Sequence, residues 1–328
     1  MATIKDIADE VGISKAAVSR ILNHKGSFSQ ETIREVERVA KRLNYASMNM
    51  LRQEVEKEKK RIAVVLPPSA VPYFGMLANM IEQEAYEYQY EVVLYSSMFM
   101  HKSEAEFFQE LKSRDISGML LTTFVSGEEA VLQQDIPAAT IGFRISKNIP
   151  STRSDYYSAG CLAARHLIGK GCKKLIYVSR NAESLQYDER WRGVQDEAEH
   201  KDCQVWAYHI ETSAASQDIS GMITRMSLEH PDAEGIFSES FRLGIRIYQT
   251  FSELGYKIPE DIKIINYGNP FLSSYCNLNM TMVMENTKRI VTHAVSSIVD
   301  LIENIDAADL EDESDIIIPV SLRVGETT

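Results

Sequence analysis

Three short stretches at the start of the chain place apolar residues at helical spacing. Ile4, Ile7, Ala8 and Val11 fall on one face of a helix that Thr3 caps, with Asp6 three residues on and Gly12 at its end. Ser14 heads a second helix with Val18, Ile21 and Leu22 inward, and Ser29 heads a third with Ile33, Val36, Ala40 and Leu43 inward. Only Gly12-Ile13 separates the first two, and so short a turn forces a steep crossing. That is helix-turn-helix geometry, with the second helix free to lie in a major groove. The same pattern suits a small protein-interaction bundle, and spacing alone leaves both readings open.

From Ser47 to Arg61 the chain is strongly charged, ends in EVEKEKKR and contains neither Gly nor Pro, which predicts a helical linker. Beyond it, apolar β-type runs alternate with amphipathic stretches. A first series holds IAVVLP (62–67), EVVLYS (91–96), GMLLTT (118–123) and AATIGF (138–143). A second holds KLIYVS (174–179), VWAYHI (205–210), EGIFSE (234–239) and IKIINY (262–267), followed by TMVMEN and IIIPVSLRV. Nearly continuous apolar strands between helices predict parallel sheets covered on both faces, and two series predict two lobes. Ligands of open α/β sheets bind beyond the carboxyl ends of the strands, so a cleft between two such lobes is where a small molecule belongs.

Composition is ordinary for a globular chain: of 328 residues, 44% are hydrophobic and 25% charged. A net charge of −12 argues against nucleic acid until it is divided. Residues 1–61 carry 13 Lys/Arg against 9 Asp/Glu, a balance of +4, whereas residues 62–328 carry 22 against 38, a balance of −16. The first segment attracts phosphate and the remainder repels it. Cys161, Cys172, Cys203 and Cys276 have no metal-ligand spacing, which fits free thiols in a reducing compartment. The opening MATIKDIADEVG is too polar for a signal peptide, and no apolar run is long enough to span a membrane, so a cytoplasmic location is expected.

TIKDIADEVGISKAAVSRILN (3–23), continued by SQETIREVERVAKRLNY (29–45), resembles the LacI/GalR family of bacterial repressors. The skeleton AxxxGxSxxxVSRxLN stands here as Ala8, Gly12, Ser14, Val18, Ser19, Arg20, Leu22 and Asn23. The resemblance implies a small all-α helix-turn-helix head (1–45) and a hinge (46–60). These would join an α/β two-lobed, periplasmic-binding-protein-like core (61–328) with parallel sheets. Lobe 1 is expected over about 61–157 and 284–314, and lobe 2 over about 158–283 and 315–328. It also implies a homodimer on near-palindromic double-stranded operator DNA. Base reading maps onto Lys15 and Arg20, which donate to guanine, and Ala16, which packs on a thymine methyl. Thr3, Ser14, Asn23 and Ser29 map onto phosphate contacts, a role compatible with helix capping. In the hinge, family members carry YxPNxxARxL, whose leucine wedges into the minor groove. Tyr45 and Arg52 match, but Ser47 and Met48 replace Pro and Asn, and the wedge position is Glu54, leaving Met50, Leu51 or Val55 as alternative wedges.

In the core, VLPPSAVPYF (65–74) resembles the family's VVPDISNPFF and implies Tyr73 and Phe74 at the cleft mouth; Pro68 stands where that motif has Asp. RSDYYSAG (153–160) and ERWRGV (189–194) imply Asp155 and Arg190 as effector-binding residues, or alternatively an ion pair between the lobes. Ser240-Phe241 stands where the family commonly has Asn-Asp, and Gly268-Asn269 where it has Asp-Asp. These changes predict a less anionic, more apolar pocket for a sugar or sugar derivative such as a glycoside or phosphosugar, or for a nonsugar ligand. GxSxG, GxGxxG, GxxxxGK[ST] and HExxH are absent and no metal-ligand spacing occurs, so neither enzyme, cofactor nor metal is expected. A solute-binding protein is the competing class. With no leucine heptad after VSLRVGETT, a dimer is expected over a tetramer.

Overall fold

The computed structural model describes residues 3–22, 28–43, 60–67, 72–97, 104–123, 131, 136–180, 188–210, 218–275, 278–303 and 315–328. The chain divides into two compact units, residues 1–60 with 89–91 and residues 61–88 with 92–328.

The first unit holds α1 (Ile4–Val11), α2 (Lys15–Leu22) and α3 (Gln30–Arg42). Thr3 closes a capping box with Asp6, and α1 ends on Gly12 in the left-handed region at φ 76°, where a β-carbon is disfavoured. Ile7, Ala8, Val18, Ile21, Leu22, Val36, Val39 and Ala40 are buried together, with Ile4, Val11, Ile13, Phe28, Ile33 and Leu43 around them. All three expected helices are thereby present, with the expected faces inward.

The second unit contains two six-stranded sheets, ordered β11-β5-β4-β3-β1-β2 and β12-β10-β9-β8-β6-β7. The first is built from β1 (Lys60–Leu66), β2 (Tyr90–Ser96), β3 (Ile116–Leu121), β4 (Ala138–Ile141), β5 (Ser151–Ser154) and β11 (Asp315–Ile318). Helices α5 (Glu104–Ser113) and α10 (Thr287–Glu303) pack on it, and α4 (Pro72–Glu87) packs against α10. The second is built from β6 (Lys174–Ser179), β7 (Gln204–His209), β8 (Gly235–Ser238), β9 (Lys263–Gly268), β10 (Thr281–Met284) and β12 (Ser321–Arg323). Its helices are α6 (Tyr156–Gly169), α7 (Glu189–Glu199), α8 (Ile219–Glu229) and α9 (Phe241–Glu253). Ile62 to Val65 in β1 and all of β8 are buried, as strands covered on both faces require.

The expected lobe limits need two corrections and the expected parallel sheets one. Asp315–Ile318 pairs with β5 in the first sheet and not the second, so the run IIIPVSLRV is two strands that separate at Pro319-Val320. Lobe 2 begins at Tyr156, because α6 packs on α7 and on the second sheet. The second sheet is parallel except for β12, which runs antiparallel to β10. The chain therefore passes between lobes three times, at Asp155, at Glu285-Asn286 and at Pro319-Val320; the first and third crossings are tied by Asp155 N–H donating to Ile318 O at 2.9 Å.

β5 was not expected at all. Its sequence, Ser-Thr-Arg-Ser, carries no apolar signal, yet Ser151, Thr152 and Ser154 are buried. Its polar groups are met by β11: Ser151 Oγ donates to Asp315 Oδ1 at 2.5 Å, and Arg153 donates to Asp315 at 3.1 and 3.0 Å. Paired in this way, Ser151 and Arg153 are covered without orphaned groups, whereas the buried Ser154 Oγ has no hydrogen-bond partner among the described residues.

Candidate functional site

In the first unit, α2 turns Val18, Ile21 and Leu22 inward and leaves Lys15, Ala16 and Arg20 exposed. Ala16 and Arg20, four residues apart, stand one above the other on the exposed side. Ser14 Oγ accepts from Ala17 N–H at 3.1 Å and Ser29 Oγ from Thr32 N–H at 3.1 Å, so both hydroxyls cap their helices. Thr3 Oγ1 accepts from Asp6 N–H at 3.4 Å, and the Thr3 N–H and hydroxyl each donate to Asp6 Oδ2 at 2.8 Å; the backbone bond and then the hydroxyl bond hold the Asp6 carboxyl below its ordinary pKa. Asn23 and the hinge positions Met50, Leu51, Glu54 and Val55 lie outside the described residues, as does Pro68.

In the second unit, Arg190 is part-buried among acids and aromatic rings. Its side chain is 19% exposed, and those of its partners Asp188 and Glu239 are 10% and 8%. Nε donates to Asp188 Oδ1 at 3.1 Å and Nη1 to the Glu239 carbonyl at 3.3 Å, while Nη2 stands 4.0 Å from Glu239 Oε2. The guanidinium also lies over the rings of Tyr156 at 4.8 Å and Tyr267 at 5.4 Å. Burial alone would lower its pKa, but Tyr177, Asp188 and Glu239 outweigh it and keep the guanidinium charged. Asp188 also accepts the Tyr177 hydroxyl and, through Oδ1, the Arg190 N–H at 3.0 Å as the cap of α7.

What brings Arg190 there is a close approach of α6 and α7. A β-carbon on Gly160 would stand 2.0 Å from Arg190 O, and one on Gly193 would stand 2.2 Å from Tyr157 O. Only hydrogen fits at either place, so the two glycines let the backbones touch.

Glu285, on the second crossing, anchors a buried network between the lobes. It accepts Thr287 Oγ1 at 2.6 Å and the Tyr267 hydroxyl at 3.3 Å, and it is hydrogen-bonded to Tyr73 of α4. Burial raises its pKa, and the bonds from Thr287, Tyr73 and Tyr267 offset part of that rise. Burial likewise pushes the Tyr156 phenol up to about 12; its hydroxyl donates to Gly142 O at 2.8 Å across the cleft. Arg153 of lobe 1 reaches Glu189 of lobe 2 at 2.5 Å.

The remaining expected residues divide. Tyr73 packs against Phe241, Leu272 and Met282, and the Phe74 ring meets it edge-on at 5.3 Å. Gly268 sits at φ 150°, where a side chain is strained, and a would-be β-carbon there would press on the Phe241 β-carbon at 3.3 Å. Asn269 is spent on a turn, accepting Phe271 N–H at 2.8 Å and donating to Thr287 Oγ1 at 2.5 Å. Asp155 caps α6, accepting Ser158 N–H at 2.9 Å and Ser158 Oγ at 2.6 Å. The ion pair weighed between Asp155 and Arg190 is therefore a correction: Arg190 pairs with Asp188 and Glu239 instead. β8 ends at Ser238, so the residue that follows the strand is the acid Glu239, and Ser240-Phe241 opens α9. Asp188, Glu239, Tyr156, Tyr267 and Glu285 were missed. The signal for Glu239 was its place at the carboxyl end of a strand.

Among the described residues no cluster of His, Cys, Asp or Glu suits a metal ion, and no helix is long and apolar enough to cross a membrane.

With these geometries in view, the class is a helix-turn-helix head followed by a two-lobed α/β core. Residues 3–47 match the model of the bacterial regulatory proteins of the lacI family, and residues 164–328 match the periplasmic binding protein-like domain. The chain thus joins a lacI-family DNA-binding domain to a periplasmic binding protein-like domain. It is 29% identical to the ribose operon repressor of Halalkalibacterium halodurans over 81% of this chain and 80% of that protein. It is 25% identical to the sucrose operon repressor of Streptococcus mutans over 100% of this chain and 99% of that one. Among solved structures it resembles the lac repressor dimer bound to operator and the anti-inducer ONPF, at 18% identity and a TM-score of 0.69, covering 100% of this chain and 99% of that one. These relatives are regulators and not enzymes.

Proposed function

We propose that this chain represses a carbohydrate-utilisation operon. It binds a near-palindromic operator as a cytoplasmic homodimer and releases or tightens on it when a sugar or sugar derivative enters the cleft. The observation that carries this reading is the exposed Lys15, Ala16 and Arg20 on a helix held by a capped three-helix core. Two copies related by a two-fold axis double the base contacts of so small a module. Lys15 and Arg20 donate to guanine, Ala16 meets a thymine methyl, and Thr3, Ser14 and Ser29, all at helix N-termini, hydrogen-bond phosphate.

In the core, Arg190 has N–H groups beyond those given to Asp188 and Glu239, and these serve effector hydroxyls, with Tyr73 and Phe74 at the mouth. Because Tyr73–Glu285, Tyr156–Gly142 and Arg153–Glu189 all link the lobes, an effector that alters any of them biases lobe closure and, through it, the operator-binding state. The protein catalyses no turnover and needs no cofactor in this reading.

Fluorescence anisotropy of the full chain on the DNA upstream of its own gene tests it. Arg20→Ala is expected to weaken specific binding at least about ten-fold, the loss of a bidentate guanine contact. Undiminished specific binding by that variant would overturn the assignment.

A further inference from the structure

Three carboxyls share one part-buried guanidinium where the lobes face each other. Asp188 and Glu239 are the ion partners of Arg190, and Glu239 also pairs with Arg180. Glu285 has no ion pair among the described residues and is held by hydroxyl groups instead, with Arg190 acting on it from a distance. Those hydroxyls come from both lobes. Tyr267 of β9 belongs to lobe 2, whereas Thr287 at the start of α10 and Tyr73 of α4 belong to lobe 1. The backbone ties Glu285 to lobe 2, its N–H donating to Gly268 O at 3.1 Å, and Asn269 Nδ2 reaches across to Thr287 Oγ1 at 2.5 Å. We propose that Glu285 is a proton-operated latch between the lobes: with a proton on its carboxyl the lobes stay joined around it, without one they part more readily, and control of the operator therefore varies with pH. The regulatory half of this inference rests on the coupling of lobe closure to the operator proposed above.

Solvation supplies the driving force. Parted lobes leave Glu285 facing water, where a carboxylate is at ease. Joined lobes set it against Tyr73 from α4, Tyr156 from α6 and Tyr267 from β9, and the cation acting on it, Arg190 of α7, is already shared between Asp188 and Glu239. A carboxylate without a full countercharge is disfavoured in such a place, so burial raises the pKa of Glu285, and the bonds from Thr287, Tyr73 and Tyr267 offset part of the rise. A carboxyl whose pKa is higher in the joined state takes up a proton as the lobes join. Joining is therefore favoured in acid and weakens as pH rises through that higher pKa. Part of the Glu285 surface stays exposed, which lets the proton exchange directly with solvent. Arg153–Glu189 and Tyr156–Gly142 also join the lobes, so the latch tunes an equilibrium that other bonds share.

Hydrogen exchange of the full chain, read by mass spectrometry from about pH 5 to about pH 8 and corrected for the intrinsic pH dependence of amide exchange, tests the latch. Wild type is compared with Glu285→Gln and Tyr73→Phe, and thermal unfolding establishes that each variant folds. Residues 72–81 and 285–291 report on the junction, and residues 175–178 of β6 give a reference inside lobe 2. In wild type, protection at the junction should fall at least about three-fold relative to the reference across this range. Glutamine keeps the shape but cannot ionise, so Glu285→Gln should stay protected throughout. Tyr73→Phe keeps the carboxyl but removes a donor that favours its charged form, so its transition should move to higher pH; that shift decides the matter alone if Glu285→Gln does not fold. A flat profile in wild type, an equal fall in Glu285→Gln, or a transition in Tyr73→Phe that stays in place or moves down overturns the latch and leaves the coupling of lobes to operator standing. Anisotropy on the operator over the same range should show the ratio of wild-type to Glu285→Gln affinity changing by about two-fold or more. A constant ratio beside a pH-dependent junction overturns the regulatory half of the proposal and, with it, the coupling on which it rests.

Discussion

A single methyl group at Gly160 should damage the cleft from behind. Its β-carbon would lie 2.0 Å from Arg190 O, 2.9 Å from Arg190 C and 3.0 Å from Val194 N, all backbone atoms of α7 that cannot swing aside. Alanine favours a helix over glycine by about 1 kcal/mol, but overpacking a tight contact costs about 1–3 kcal/mol and more when the neighbour is rigid. The steric term wins, because α7 must move bodily by more than half an ångström and takes Arg190 with it. The net expectation for Gly160→Ala is a loss of about 1–3 kcal/mol, or roughly 2–4 °C of melting temperature per kcal/mol for a domain of this size class. Differential scanning calorimetry reads it. Gly169→Ala, in the same helix with nothing within 4 Å of the new β-carbon, is the control and should melt at or above wild type. A Gly160→Ala protein as stable as the control would refute the backbone contact and the placement of Arg190 that depends on it.

Three other outcomes follow from the same structure. Arg190→Met leaves Asp188 and Glu239 buried with less countercharge and should cost about 3 kcal/mol in urea unfolding, the lower end for breaking a buried pair because Arg180 still meets Glu239. Glu285→Gln should show a pH-dependent gain. The folded pKa of Glu285 lies above its ordinary value of 4.5, so its favourable contribution is complete below that value and is lost as pH rises through the folded pKa. The stability difference between Glu285→Gln and wild type should therefore shift in favour of glutamine between pH 4 and pH 7, and a flat difference would contradict the burial of that carboxyl. Ser14→Ala removes the cap of α2 and should lower the thermal stability of the DNA-free head by about 0.5–2 kcal/mol.

The elements that could be read from the chain were those whose reasons are local. Apolar runs such as Ile62–Val65 and Gly235–Ser238 declare buried strands by themselves, and Thr3, Ser14 and Ser29 declare helix starts through short-range capping bonds. β5 could not be read, because Ser151 and Arg153 are stabilised by Asp315, more than 160 residues away, and nothing nearby marks them as buried. The same holds for the cleft. Arg190 was expected from its motif, but its partners lie far from it in the chain: Tyr156 in α6, Glu239 just after β8 and Tyr267 in β9. Glu285 escaped notice for a related reason: a lone acid after an apolar strand looks like a surface residue until Tyr73 and Tyr267 close over it. Phe241 was expected at the effector pocket, and the structure packs it with Leu272, Met282 and Tyr73, a cluster drawn from distant parts of the chain.

Coupling between cleft and head is the centre of the account, and one titration addresses it. Operator affinity of the full chain is measured by anisotropy at fixed salt, with and without saturating amounts of each compound that calorimetry shows to bind the core. Linkage requires that any effector which changes operator affinity has its own affinity changed by operator to the same factor. The account predicts at least one sugar or sugar phosphate that shifts the operator dissociation constant by about five-fold or more, with the reciprocal shift in its own. An operator affinity indifferent to every compound that occupies the cleft would contradict it.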